Sequence, residues 1–246
     1  MCGRIVITTP MEALAALFDA APDNDLPLGH LPDNDLPLGH LPDNDLPLGH
    51  LPGGARFNVC PTQTIATVTS EGGIRRLRPM RWGLLPAWYK TPTDGPLLIN
   101  ARSETVAEKP AFRMAVRERR CLIPISGFYE WSPGAAGARL PWYITRADGG
   151  VMALGGVWQQ WEREGVALLT CAVVTTEAGP QMAAVHNREP VIVEQAVWPL
   201  WLGESGKGAA LLMKHREPGA LAMHRVDPRV NSNRASGAEL ILPVTA

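Results

Sequence analysis

The sequence predicts an α+β fold, a single domain of mainly antiparallel strands curled into a barrel-like sheet with a few flanking helices. Seven short stretches read as strands: Ile65 to Ser70, Ile74 to Arg78, Cys121 to Ile125, Phe128 to Trp131, Pro141 to Arg146, Val151 to Trp158 and Ala167 to Thr175. Gly, Pro or Asp-Gly turns separate them, as expected for strands joined by tight connections. Helical periodicity is confined to a few segments, too few for an alternating βαβ order. With 246 residues and 46% hydrophobic composition, one compact domain spanning 1–246 is the simplest organisation.

The chain should open with a short strand from Cys2 to Thr8. Thr9-Pro10-Met11-Glu12 then has the form of a capping box with proline at the first helical position. Leu14, Leu17, Phe18 and Ala21 follow at helical spacing, and Pro22 ends the run. Pro-Asp-Asn-Asp-Leu-Pro-Leu-Gly-His-Leu then occurs three times unchanged, at 22–31, 32–41 and 42–51. Two prolines and a glycine in each copy oppose a regular helix or central strand, so 22–51 reads as an exposed, flexible insertion. His30, His40 and His50 stand beside aspartates there, but a flexible tether offers nothing to orient them as metal ligands, and no metal site is expected. Further helices are expected at 104–117, interrupted at Pro110, and at 194–202 and 209–216.

Composition narrows the function classes. No run of about 18 apolar residues and no secretory pattern occurs, which points to a cytoplasmic, nucleoid-associated protein with no membrane partner. Cys2, Cys60, Cys121 and Cys171 form no C-x-x-C pair, so neither a zinc ribbon nor a redox dithiol is expected, and no cofactor is called for. The net charge of −1 hides six aspartates within 22–51; outside that segment, basic side chains exceed acidic ones by five. Such a balance permits a polyanionic partner.

Cys2 is the residue that suggests chemistry. Methionine is normally trimmed ahead of a small residue, and its loss would give Cys2 a free amine beside its own thiol. These nucleophiles titrate at about 7.7–8.0 and 8.5. An aldehyde can condense with the amine to an imine, and the thiol can then close a five-membered thiazolidine. On position alone, Cys2 could simply begin a strand. Other segments add polar residues in apolar settings, where they need partners or a purpose. They are Arg56-Phe57-Asn58-Val59-Cys60, Arg81-Trp82-Gly83-Leu84-Leu85-Pro86-Ala87-Trp88, Asn100-Ala101-Arg102, Gly127-Phe128-Tyr129-Glu130-Trp131 and His186-Asn187-Arg188-Glu189-Pro190.

These segments, together with the opening Met-Cys-Gly-Arg and Gly237-Ala238-Glu239-Leu240-Ile241-Leu242-Pro243 near the end, resemble the SRAP (SOS-response-associated peptidase) family. The resemblance covers nearly the whole chain except the repeat. It implies a barrel-like α+β domain with a basic groove for single-stranded DNA, working as a monomer, in which Cys2 captures abasic sites covalently. Carried onto this sequence, it makes Cys2 the nucleophile with Asn100, Glu130 and His186 around it. Arg4, Asn58, Trp82, Trp88, Arg102, Arg113 and Arg188 become DNA contacts. Two positions depart from the family pattern: the repeat replaces a short connection, and Cys60 stands where alanine is common.

The implied roles are chemically reasonable. A carboxylate near the amine can act as general base and then acid, and an imidazole suits opening of the sugar to its aldehyde. A carboxamide can position either group without adding charge. Each also has an ordinary explanation: Glu130 pairing with an arginine, His186 as a core histidine, Asn100 capping a turn. The family name also implies a peptidase or hydrolase activity, limited to self-processing or broader, and a lyase step. Two other readings stay open: an N-terminal cysteine amidohydrolase or peptidase, and a single-stranded DNA binding module in which Cys2 is incidental. The amidohydrolase reading would use the thiolate as attacker and its own amine as base.

Overall fold

The computed structural model describes residues 2–23, 53–214 and 221–244. In chain order its first elements are β1 (Ile5–Ile7), α1 (Met11–Phe18), β2 (Ala20–Pro22), β3 (Arg56–Val59), β4 (Thr64–Glu71), β5 (Ile74–Trp82) and β6 (Asn100–Arg102). There follow α2 (Arg113–Glu118), β7 (Arg120–Ile125), β8 (Gly127–Pro133), β9 (Arg139–Arg146), β10 (Met152–Arg163) and β11 (Val166–Glu177). The last are α3 (Pro180–Ala183), β12 (Arg188–Pro190), α4 (Trp198–Leu202) and β13 (Leu221–Arg225).

The α+β expectation, mostly strands, is met. One sheet runs β12-β11-β10-β7-β4-β5-β2, and a parallel pairing of β11 with β5 at Thr170↔Arg81 and Cys171↔Trp82 closes five of its strands into a barrel. The other runs β13-β9-β8-β1-β3. Strand alternation sorts the side chains of the barrel sheet between two cores. Leu122, Ala153, Ala172 and Val174 join Leu14 and Phe18 of α1, Ala115 and Val116 of α2, and Trp198 and Trp201 of α4. Their neighbours Cys121, Ile123, Leu154, Cys171 and Val173 join Cys2, Ile5, Phe128 and Ile144 of the five-stranded sheet.

Burial, more than helix propensity, holds the helices. In α1 the side chains of Leu14 and Phe18 are buried, and Phe18 stacks on Trp198 with ring centroids 4.1 Å apart. Burying a phenyl ring of this kind contributes roughly 1.5–3 kcal/mol. A close approach also requires Gly155, because a Cβ there would lie 2.6 Å from the Trp201 ring, whose indole N–H donates to Cys121 O at 2.8 Å.

Several local expectations change. Helix α1 begins at Met11 with Pro10 at its N-cap and no side-chain cap, so Thr9 does not form the predicted box; Leu14 N–H donates to Pro10 O instead. The helix stops at Phe18, with Asp19 in the left-handed region, and Ala20–Pro22 forms an edge strand beside β5. A proline is tolerated there because an edge strand leaves one row of backbone groups unpaired. Strand β5 passes through Pro79, which falls between its pairings with β2 and β11 on that side. Of the three expected later helices, 104–117 yields only α2, 194–202 a 3-10 turn and α4, and 209–216 the 3-10 segment Ala209–Met213. Beyond Asp23, the repeat and its histidines lie outside the described residues, so the expectation of a flexible insertion does too. None of the described helices is long and apolar enough to cross a membrane.

Candidate active site

Three strands bring the N-terminal residues to the centre of the molecule. Ile5 pairs with Val59 of β3 on one side and with Phe128 of β8 on the other, and Tyr129 N–H donates to Arg4 O at 2.9 Å. The Tyr129 hydroxyl ties β8 to β3 through Phe57 O at 2.8 Å. Gly127 leaves room for this layer, since a Cβ there would meet the Tyr143 ring at 2.5 Å. Cys2 is therefore packed at 0% exposure among the apolar residues between the sheets. That burial pushes its thiol well above the ordinary range, and the nearby negative charge of Glu130 pushes it further.

Asn100 reaches the same point from the opposite sheet. Strand β6 pairs in parallel with β11, Asn100 opposite Val173, and its Nδ2 donates to Cys2 O at 2.8 Å. Its Oδ1 is buried without a hydrogen-bond partner. Glu130, 1% exposed in β8, accepts from Trp131 N–H at 3.2 Å. His186 follows α3 with its backbone N–H on Met182 O, and its Nδ1 accepts from Arg188 N–H at 2.9 Å. Because Nδ1 acts as acceptor, the neutral ring carries its proton on Nε2. Direct interactions thus join Cys2 to Asn100 and to Glu130, and Met182 and Val185, which precede His186 in the chain, pack in the Cys2 cluster.

The expected DNA contacts divide into groups. Arg102 is exposed; it shares a strand face with Asn100, while Ala101 between them faces the helix-side core. Arg188 is clamped by Glu104 at 2.7 and 3.0 Å and donates to Thr175 O, an arrangement that holds the Glu104 carboxyl below its usual range. Arg4 donates to Asn58 Oδ1 at 2.6 Å and to Val230 O at 2.9 Å, and Asn58 in turn donates to Ser232 O and Ala235 O. These two side chains secure the C-terminal segment. Trp82 is fully buried with its indole N–H on Ile99 O, so it offers no open face to a base; Trp88 is 56% exposed. Arg113 is exposed at the start of α2, whose buried residues belong to the helix-side core. Cys60 lies next to Val59 of the Cys2 cluster without joining it, and burial raises its thiol against the lowering influence of Arg4 and Arg56.

The sequence reading missed the surroundings of Glu130. Trp142 stands opposite Glu130 across β8 and β9, and Arg225 stands opposite Trp142 across β9 and β13. Such neighbours depend on register between strands distant in sequence, which alternation within one strand does not reveal.

Residues 1–233 match the family described as SOS response associated peptidase (SRAP). The chain is 34% identical over 189 residues to the abasic site processing protein YoaM of Bacillus subtilis, covering 75% of this chain and 83% of that one. It is 29% identical over 208 residues to the mouse abasic site processing protein HMCES, covering 71% of this chain and 58% of that protein. Among solved structures, one from Bordetella bronchiseptica matches with a TM-score of 0.70 at 20% identity, covering 92% of this chain and all of that one. Another, from Bacteroides thetaiotaomicron, matches with a TM-score of 0.68 at 23% identity, covering 77% and 85% of the two chains. At these identities the structural matches establish the fold.

Proposed function

Because the chain belongs to the SOS response associated peptidase family, we propose that it captures abasic sites in single-stranded DNA as a thiazolidine at Cys2 once Met1 has been removed. The observation that carries this reading is the meeting of three groups from separate strands at one buried point: the Asn100 carboxamide on the Cys2 carbonyl, with the Glu130 charge beside the Cys2 thiol. The relatives named as abasic site processing proteins support it.

The reaction runs in balanced steps. His186, through Nε2, assists proton transfer as the sugar ring opens to its aldehyde. The free Cys2 amine adds to the aldehyde carbon, and Glu130 takes a proton from nitrogen and returns one to the departing hydroxyl, releasing water and leaving an imine. The Cys2 sulfur then adds to the imine carbon as its proton passes to nitrogen, closing the thiazolidine. Asn100 fixes the backbone that carries both nucleophiles. Cys2 is buried and amide-linked in the chain that begins with Met1, so trimming is the activating event. Arg102 and Arg113 are the proposed phosphate contacts and Trp88 the stacking surface, while Arg188 is engaged by Glu104. Arg4 and Asn58 support the site from behind.

The test is incubation of the trimmed protein with single-stranded DNA carrying one abasic site, followed by denaturation and intact-mass measurement. The expected species equals protein plus DNA less one water, is absent in Cys2→Ala, and fails to form when the aldehyde has been reduced to an alcohol. An adduct of Cys2→Ala, again equal to protein plus DNA less one water, would show that the thiol is not required and assign the link to an imine on an amine. Ammonia release from glutamine without any adduct would favour an N-terminal amidohydrolase.

A further inference from the structure

Glu130, Trp142 and Arg225 form a row across three neighbouring strands. Glu130 is opposite Trp142 between β8 and β9, and Trp142 is opposite Arg225 between β9 and β13. Phe128 of β8, Trp142 and Ile144 of β9, and Leu221 and Met223 of β13 all pack in the Cys2 cluster. Strand alternation therefore sets Glu130 and Arg225 on that same face.

The middle and the end of the row are fixed differently. Trp142 is held by its indole N–H on Ser132 Oγ at 2.9 Å, so its ring is a firm platform. The Arg225 guanidinium lies 5.8 Å from the centroid of that ring, and its Nε is buried without a hydrogen-bond partner. No acidic side chain among the described residues forms an ion pair with it. Arg4 and Arg188 also bury an unpartnered Nε, but the Arg188 guanidinium is neutralised by Glu104, and Arg4 Nη1 donates to Asn58 Oδ1 and Val230 O. A half-buried cation stacked on an indole and lacking a carboxylate is suited to an anion supplied from outside.

We propose that Arg225, carried on Trp142, grips a backbone phosphate of the DNA strand whose abasic sugar is held at Cys2. The inference rests on the function proposed above and adds a named subsite to it. Two interstrand steps separate Arg225 from Glu130, about 10 Å. At about 3.4 Å per stacked nucleotide, the gripped phosphate lies within about three nucleotides of the captured sugar.

Binding of the trimmed full-length protein to undamaged oligothymidine, measured as log affinity against log salt, tests this. Arg225→Gln is expected to reduce the magnitude of the slope by about 0.7, the increment for one phosphate on a single strand, while Arg225→Lys retains the wild-type slope. A second measurement avoids any folding defect: wild-type protein is titrated with abasic oligonucleotides bearing one neutral methylphosphonate at successive positions. One position within about three nucleotides of the lesion should reduce the slope by the same increment and make wild type and Arg225→Gln indistinguishable. An unchanged slope in Arg225→Gln, or a scan in which the two proteins differ equally at every position, overturns the assignment. Wild type that neither binds single strands in a salt-dependent way nor forms an adduct would instead refute the parent reading.

Discussion

The two cores on either side of the barrel sheet are built from similar aliphatic side chains, yet their surroundings differ. On the helix side, α1, α2 and α4 cover Leu122, Ala172 and Val174 with Phe18, Val116, Trp198 and Trp201. On the other side, Cys121, Cys171 and Val173 face the five-stranded sheet, and the cluster contains Cys2 with Asn100 and Glu130 against it. Apolar packing therefore does two jobs in one fold. On the first side it stabilises; on the second it also fixes polar groups that would cost free energy there without partners or a purpose.

The comparison breaks if a substitution on the helix side damages capture as much as stability. Phe18→Ala should cost about 3–5 kcal/mol in urea unfolding, while the molecules that remain folded form adduct at the wild-type rate. On the opposite side, Asn100→Ala removes a hydrogen bond worth about 1–3 kcal/mol once its partner is left buried. The single-turnover capture rate should fall about tenfold to a hundredfold, and a wild-type rate would show that Asn100 only packs.

Smaller effects sharpen the contrast between committed and open arginines. Arg102→Ala should reduce the magnitude of the salt slope for single-stranded DNA by about 0.7. Glu104→Gln should leave it unchanged or steepen it, because it releases Arg188 from its bidentate partner; a shallower slope would mean that Glu104 positions Arg188 for phosphate. The smallest effect concerns the Cys2 thiol in chains that retain Met1. Burial is the main cause of its raised pKa and the Glu130 charge the second. Removing that charge in Glu130→Gln should lower the thiol pKa, so alkylation of Cys2 at pH 9 should become faster. Slower alkylation would contradict the charge contribution.

The parts of the fold that follow from local pattern were legible in the sequence. Turn residues between short segments marked β4, β5, β7, β8, β9, β10 and β11, although β10 and β11 each extend beyond the stretch expected. Strands β2, β3, β6, β12 and β13, only three to five residues long, were not expected, because tertiary pairing rather than their own periodicity makes them. The same distinction applies to the site. Cys2 stood out by its own chemistry, whereas Asn100, Glu130 and His186 were singled out by the resemblance to the family. The burial of Trp82, the Arg4–Asn58 tie and the Trp142–Arg225 row all depend on register between distant strands, which a linear reading does not contain.

The most direct test compares the same protein with and without a residue ahead of Cys2. Trimmed protein and a form whose leading residue is retained are each mixed with single-stranded DNA bearing one abasic site, and the intact mass is recorded without any reductant. The account predicts a stable adduct, less one water, from the trimmed protein alone. Equal adduct from the form whose Cys2 nitrogen remains in a peptide bond would contradict it.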